Sequence, residues 1–266
     1  MADTDLGVVL PGVALTDAAT CARLGAVLAQ FAGVAEMPAE PLIAPAMLLG
    51  RPQIAAATRA MTPPDGMGVV HESQMFRRAD PLQMAGVADV TIRARIRPPS
   101  VVFDFELGAG AQAQMQTRLR FVTPQEMAAL RGTRFSDRFT TGDTVWRASM
   151  PITAQAVAQY LALSHDPNPI HTSDGAARAV GLSGAVVPGM MLCGLAEAVL
   201  CDVHPGRWVR EMKTRFMAAV PVGQAVRLAI VPRQRDADDA LVMARIFAVM
   251  PGDVIAAIMD VRTEGG

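Results

Sequence analysis

The sequence predicts an α+β protein built from one unit used twice, a long apolar helix laid on an antiparallel sheet. Three observations predict it. In each half, helical stretches come first, and strand-like stretches joined by Gly and Pro turns follow. The longest apolar helical stretch of each half opens on a similar motif, Pro45-Ala46-Met47-Leu48-Leu49 and Pro188-Gly189-Met190-Met191-Leu192. Phe76, then Pro81-Leu82, then Val90-Thr91-Ile92-Arg93 is echoed by Phe216, then Pro221-Val222, then Val226-Arg227-Leu228. An undivided α+β domain is the competing reading, and the agreement of motif with element order favours duplication. The join falls near 125–135.

The elements follow in order. Residues 1–14 read as a loose arm. Thr16-Asp17 can cap a helix through Phe31 that stops at Gly33. Residues 34–45 carry three prolines and read as loop. Residues 46–60 are mostly apolar helix formers and read as helix, and Pro63-Pro64-Asp65-Gly66 is a turn. Strands are expected at 68–76, 88–97, 101–107 and 114–121. Thr91 to Ile96 alternates partly, as a half-exposed antiparallel strand does. In the second half, 143–150 is a short strand. Thr153 caps a helix through Leu163, with Ile152 and Val157 placed for a hydrophobic staple. Ser173-Asp174 begins a short helix that Gly181 ends. Pro188 opens a long apolar helix to Cys201. Strands close the chain at 209–216, 224–231, 240–250 and 254–262.

Composition sets outer bounds. The 266 residues carry a formal net charge of −1, and 51% are hydrophobic, which is ample for a core. A near-neutral balance argues against a nucleic-acid binder, which shows a basic patch or stripe. No run of four or more like charges marks a polybasic membrane patch. Cys21, Cys193 and Cys201 match no zinc spacing, and their odd number reads as reduced thiols in a cytosolic protein. Met1-Ala2-Asp3-Thr4-Asp5 is acidic and lacks the basic start of a signal peptide. The most apolar run, 185–201, is too short to span a bilayer and reads as a buried helix. The expectation is a cytoplasmic protein with neither nucleic acid nor membrane as partner.

The chemistry concentrates in Leu163-Ser164-His165-Asp166-Pro167-Asn168-Pro169-Ile170-His171. Two prolines push Asp166 and Asn168 out of helical conformation. In extended chain, residues two apart share a side, so Asp166 and Asn168 should point together. His171 can fold back to join them where the next element begins. A proline-rich turn with ordinary turn residues is the plain alternative for any one of these positions.

This run, with Tyr160 ahead of it and Thr172, Ala176-Ala177, Gly181-Leu182 and Val187-Pro188-Gly189-Met190-Met191 after it, resembles the MaoC-like, (R)-specific enoyl-CoA hydratase family. The resemblance is strong over 140–220 and extends as element order over 15–130. It implies a double hotdog, with two antiparallel sheets each wrapped on a long central helix. Residues 1–130 would be a degenerate hotdog that walls the substrate pocket, and 131–266 the catalytic one. The family pattern D-x-N-P-x-H implies Asp166 and His171 as the catalytic pair and Asn168 as the residue that orients them. It implies the backbone N–H of Gly189 as donor to a thioester oxygen. The substrate would be an acyl-CoA or acyl-carrier thioester, with no metal or redox cofactor, and a homodimer is an allowed assembly. Two positions depart from the pattern: His165 stands where Gly is usual, and Pro188 where His is frequent. Histidine tolerates a positive φ less well than glycine. Proline suits a first helical turn and leaves the Gly189 N–H free.

Adding water to an α,β-unsaturated thioester needs a base for the water, a proton for C2 and a donor for enolate charge on the thioester oxygen. A carboxylate and an imidazole supply the first two, and a helix N-terminus supplies the third. The first half offers only Glu36 and Glu40 in the matching loop, so one site per chain is expected. His71 reads first as a structural histidine on a strand and second as lining a cofactor tunnel, His165 as an outward neighbour ahead of a third polar group in the site, and His204 as a surface turn. Cys193 reads as packing, Glu197 as a paired or rim residue, and the methionines as core filler. Arg207, Arg210, Lys213 and Arg215 fit a phosphate site or a solvated strand face equally well. The competing functions are a hotdog thioesterase and a non-catalytic acyl-CoA or acyl-carrier binding partner.

Overall fold

A computed structural model describes residues 4–37, 40–59, 63–80 and 86–265. The chain opens with β1 (Thr4–Ala14) and α1 (Ala18–Ala32), then a 3-10 helix at Ala44–Gly50 and α2 (Pro52–Ala57). Four strands follow: β2 (Gly68–Arg78), β3 (Val87–Arg97), β4 (Ser100–Leu107) and β5 (Ala113–Val122). A short helix, α3 (Pro124–Ala129), leads to β6 (Val145–Ala148), α4 (Ala154–Ser164), a 3-10 turn at Pro169–His171, α5 (Asp174–Ala179) and α6 (Gly189–Val203). The strands β7 (Arg207–Phe216), β8 (Arg227–Arg235), β9 (Leu241–Met250) and β10 (Val254–Gly265) complete it.

The strands form one ten-stranded antiparallel sheet in the order β1-β3-β4-β5-β2-β7-β10-β9-β8-β6. The sheets of the two halves meet edge to edge where β2 pairs with β7, Ser73 opposite Arg215 and Phe76 opposite Met212. Strict alternation drives the central strands. In β4, Val101, Phe103, Phe105 and Leu107 are buried and the residues between them face out. On α6, every residue from Met191 to Cys201 is buried, and the helix packs on α1, β7 and β9.

Several helix ends match their sequence signals. Asp17 accepts from the Thr20 N–H to cap α1, which ends at Gly33 in left-handed conformation. Thr153 accepts from the Ala156 N–H to cap α4, and the staple pair Ile152 and Val157 is fully buried. Three expectations need correction. The arm at 1–14 is, over its described part, the edge strand β1. Nearly all of it is exposed on both faces, so its sequence shows no alternation, and an edge tolerates its Pro11. The helix expected at 46–60 is a 3-10 helix and α2, broken where Arg51 turns extended before Pro52. The long helix of the first half is therefore α1. A capping box between Thr123 and Glu126, with Pro124 in the first turn, builds α3 inside the expected join. Met1 to Asp3, Ala60 and the Pro81-Leu82 part of the repeat lie outside the described residues.

The buried charge of α6, Glu197, joins the halves. Its Oε1 meets Arg78 Nη2 of β2 at 3.1 Å, and its Oε2 accepts from the Leu42 N–H at 2.7 Å. Arg78 also donates to the carbonyls of Val209 at 2.9 Å and Glu40 at 2.6 Å. Burial pushes the Glu197 carboxyl up to about 7, with Arg78 and the Leu42 N–H pulling the other way. The expected pairing of Glu197 is thus an internal one.

Candidate active site

The stiff segment after α4 builds the site. Helix α4 ends at His165, which takes φ 52° and ψ 27°, the left-handed conformation that favours glycine. A Cβ on Gly50 would collide with the His165 side chain, so the end of the first-half 3-10 helix packs directly on this turn. The chain then leaves in extended conformation through the prolines. The Asn168 N–H donates to Asp166 Oδ1 at 3.0 Å. The Asn168 side chain accepts from the Ile170 N–H at 3.3 Å and caps the 3-10 turn that carries His171. The amide side chain therefore holds the turn, and the backbone of the same residue holds the carboxylate.

His171 is buried, with Nδ1 2.7 Å from the Val186 carbonyl. A carbonyl only accepts, so Nδ1 carries a proton, and in the neutral form of the ring Nε2 presents its lone pair. That nitrogen lies 3.6 Å from Asp166 Oδ2, whose side chain is 38% exposed. The separation is too long for a direct hydrogen bond. Two acceptors spaced this way suit one water donating to both. Tyr160 is buried beside the pair, and burial with the Asp166 charge drives its phenol well above the usual range.

Gly189 is the first residue of α6, so its N–H has no partner within the helix. A Cβ there would lie 2.8 Å from Phe216 Cε1, so only glycine fits beneath that ring. Asp166, Asn168, His171 and Gly189 all line one cavity of about 1000 Å³. Its other wall comes from the first half, including Leu49, Met67 and Leu119. The sequence motif thus brings its four residues to one place.

His71 also lines this cavity, beside Phe216, which is the second of the two places the sequence allows it. Period-two alternation misplaces it, because β2 is irregular between His71 and Ser73. Cys193 sits with Sγ 3.2 Å from Thr214 Oγ1, and burial pushes its thiol up to about 12, as packing requires. Of the basic cluster, Lys213 pairs with Glu211 at 2.9 Å, Arg210 pairs with Glu264, and Arg207 donates to the Thr263 carbonyl. No group of three or more His, Cys, Asp or Glu side chains gathers as a metal site among the described residues. No helix among them is long and apolar enough to cross a membrane.

A helix-on-sheet unit repeated across one ten-stranded sheet, with the site at the tip of the central helix, is the double hotdog architecture. Residues 138–245, within the second half, match the family model described as MaoC like domain. Solved structures match over nearly the whole length. HtdX of Mycobacterium tuberculosis is 18% identical with a TM-score of 0.71, covering 96% of this chain and 99% of that one. A MaoC-like dehydratase from Phytophthora capsici is 14% identical with a TM-score of 0.67, covering 99% and 96%. A second M. tuberculosis protein, described as having a double hotdog fold, is 12% identical with a TM-score of 0.59, covering 97% and 96%. At these identities the likeness is one of fold. No curated protein matches the sequence.

Proposed function

We propose that the protein catalyses the reversible hydration of a trans-2-enoyl thioester to the (3R)-hydroxyacyl thioester. The observation that carries this is the His171 lone pair facing the Asp166 carboxylate across 3.6 Å, in a cavity that also contains the tip of α6. A water bound between the two acceptors attacks C3. Its leaving proton stays within the pair, which returns one to C2. One O–H bond and the C2=C3 π bond break, and C3–O and C2–H bonds form. The Gly189 N–H, backed by the positive end of α6, takes the enolate charge on the thioester oxygen. The (3R) outcome and the CoA or acyl-carrier handle come from the family resemblance.

The acyl group lies toward the first half. The break at Pro52 replaces the long helix expected there with two short ones, and Leu49, Ala55 and Thr58 from these pieces line the cavity. A volume of about 1000 Å³ suits a long or branched acyl chain. The test is a set of enoyl-CoAs of rising chain length and branching, followed both by absorbance of the conjugated double bond and by thiol release. Absorbance loss without thiol release is expected. Thiol release with the double bond intact would make the protein a hotdog thioesterase, and binding without either signal would make it a non-catalytic partner.

A further inference from the structure

His71 belongs to the first half, and its place in the cavity wall depends on a defect in β2. Counting back by twos from the core-facing Arg78, Phe76 and Gln74 would turn Glu72 inward and His71 outward. The pairing of β2 with β5 slips by one residue between His71 and Ser73. The extra residue, Glu72, is held by Arg118 at 3.0 Å and Arg120 at 2.6 Å, both from β5. Bulges re-aim neighbouring side chains, and at this one His71 and Glu72 both line the cavity. Two contacts then hold its ring. Nε2 donates to Gln74 Oε1 at 3.1 Å, and that oxygen also accepts from Thr117 Oγ1 at 2.8 Å. The ring centroid lies 4.6 Å from that of Phe216, with the planes tilted by 48°. Phe216 is the ring that closes over Gly189.

We infer that His71 is a positioning residue that acts through Phe216 to set the Gly189 amide at the cavity. The bulge, its two arginine clamps and the Gln74–Thr117 pair exist at this point of β2 to deliver a ring against Phe216. Burial holds the imidazole at about 4, against the pull of its bonds to Gln74 and Ser73, so the ring stays neutral. A neutral ring can pack edge or face against Phe216 without placing a cation near His171. The catalytic consequence rests on the hydratase reading. The packing relation does not.

The experiment therefore reads both. The Gly189 amide is followed by ¹H–¹⁵N NMR, and kcat and KM by enoyl-CoA hydration, in the full chain and in His71→Ala, His71→Asn, His71→Phe and Phe216→Ala. His71→Asn keeps a donor for Gln74 without the ring and serves where His71→Ala fails to fold. Both should move the Gly189 signal and lower kcat about tenfold, the scale of a small misplacement, with KM held within about twofold. His71→Phe should return the signal and most of kcat. His71→Ala added to Phe216→Ala should cost nothing further. An unmoved Gly189 amide in His71→Asn overturns the inference, as does a His71→Phe variant no better than His71→Asn. A wild-type protein without hydratase activity overturns the functional reading alone, and the Gly189 signal still decides the role of His71.

Discussion

Arg78→Met tests what joins the two halves. The substitution keeps the side-chain stem and removes the guanidinium. Glu197 loses its 3.1 Å partner and keeps only the Leu42 N–H, the Val209 and Glu40 carbonyls lose a donor, and Trp208 loses the cation 5.3 Å from its ring. Breaking one side of a buried pair costs about 3–5 kcal/mol. For a chain of this size that is a fall in Tm of roughly 6–15 °C. The deficit should depend on pH. Arg78 is what pulls the Glu197 carboxyl down toward about 7, so without it the folded pKa rises further above the ordinary 4.5. The folded state then binds more protons than the unfolded one across that window, and stability falls as pH rises through it. Thermal melts of Arg78→Met should show a larger deficit at pH 8 than at pH 5.5. Arg78→Met/Glu197→Leu should recover most of the loss and its pH dependence. A deficit below about 1 kcal/mol, or one equal at both pH values, would refute the reasoning.

Two further outcomes follow from the site. Gly189→Ala places a Cβ 2.8 Å from Phe216 Cε1, so ring or helix tip must move, and kcat should fall roughly 10–100-fold with an intact fold by circular dichroism. His165→Gly relieves a left-handed histidine and should raise stability by about 1 kcal/mol in denaturant melts, with enoyl-CoA turnover measured alongside to check that the Asp166 turn is kept.

The legible parts were those where a local rule acts alone. Asp17, Thr153 and Ser173 each cap the helix that follows them, and the alternation of β4 appears in its burial. The run from Asp166 to His171 was legible because proline stiffens it without help from the rest of the fold. Three features were hidden, each for a physical reason. β1 has no buried face to write a pattern on, and only β3 makes it a strand. The bulge at Glu72 breaks the side-chain parity of β2, so the place of His71 in the cavity wall shows only with β5 in place. The 3.6 Å gap between His171 and Asp166 depends on the Val186 carbonyl, fifteen residues on from His171.

Hydration rates of Asp166→Asn and His171→Ala against wild type, on the best enoyl-CoA substrate, address the central claim most directly. Each variant should fold as wild type and lose at least about 100-fold in kcat, the lower end of what a positioned acid–base group supplies. Wild-type turnover in either would contradict the assignment of the water to this pair.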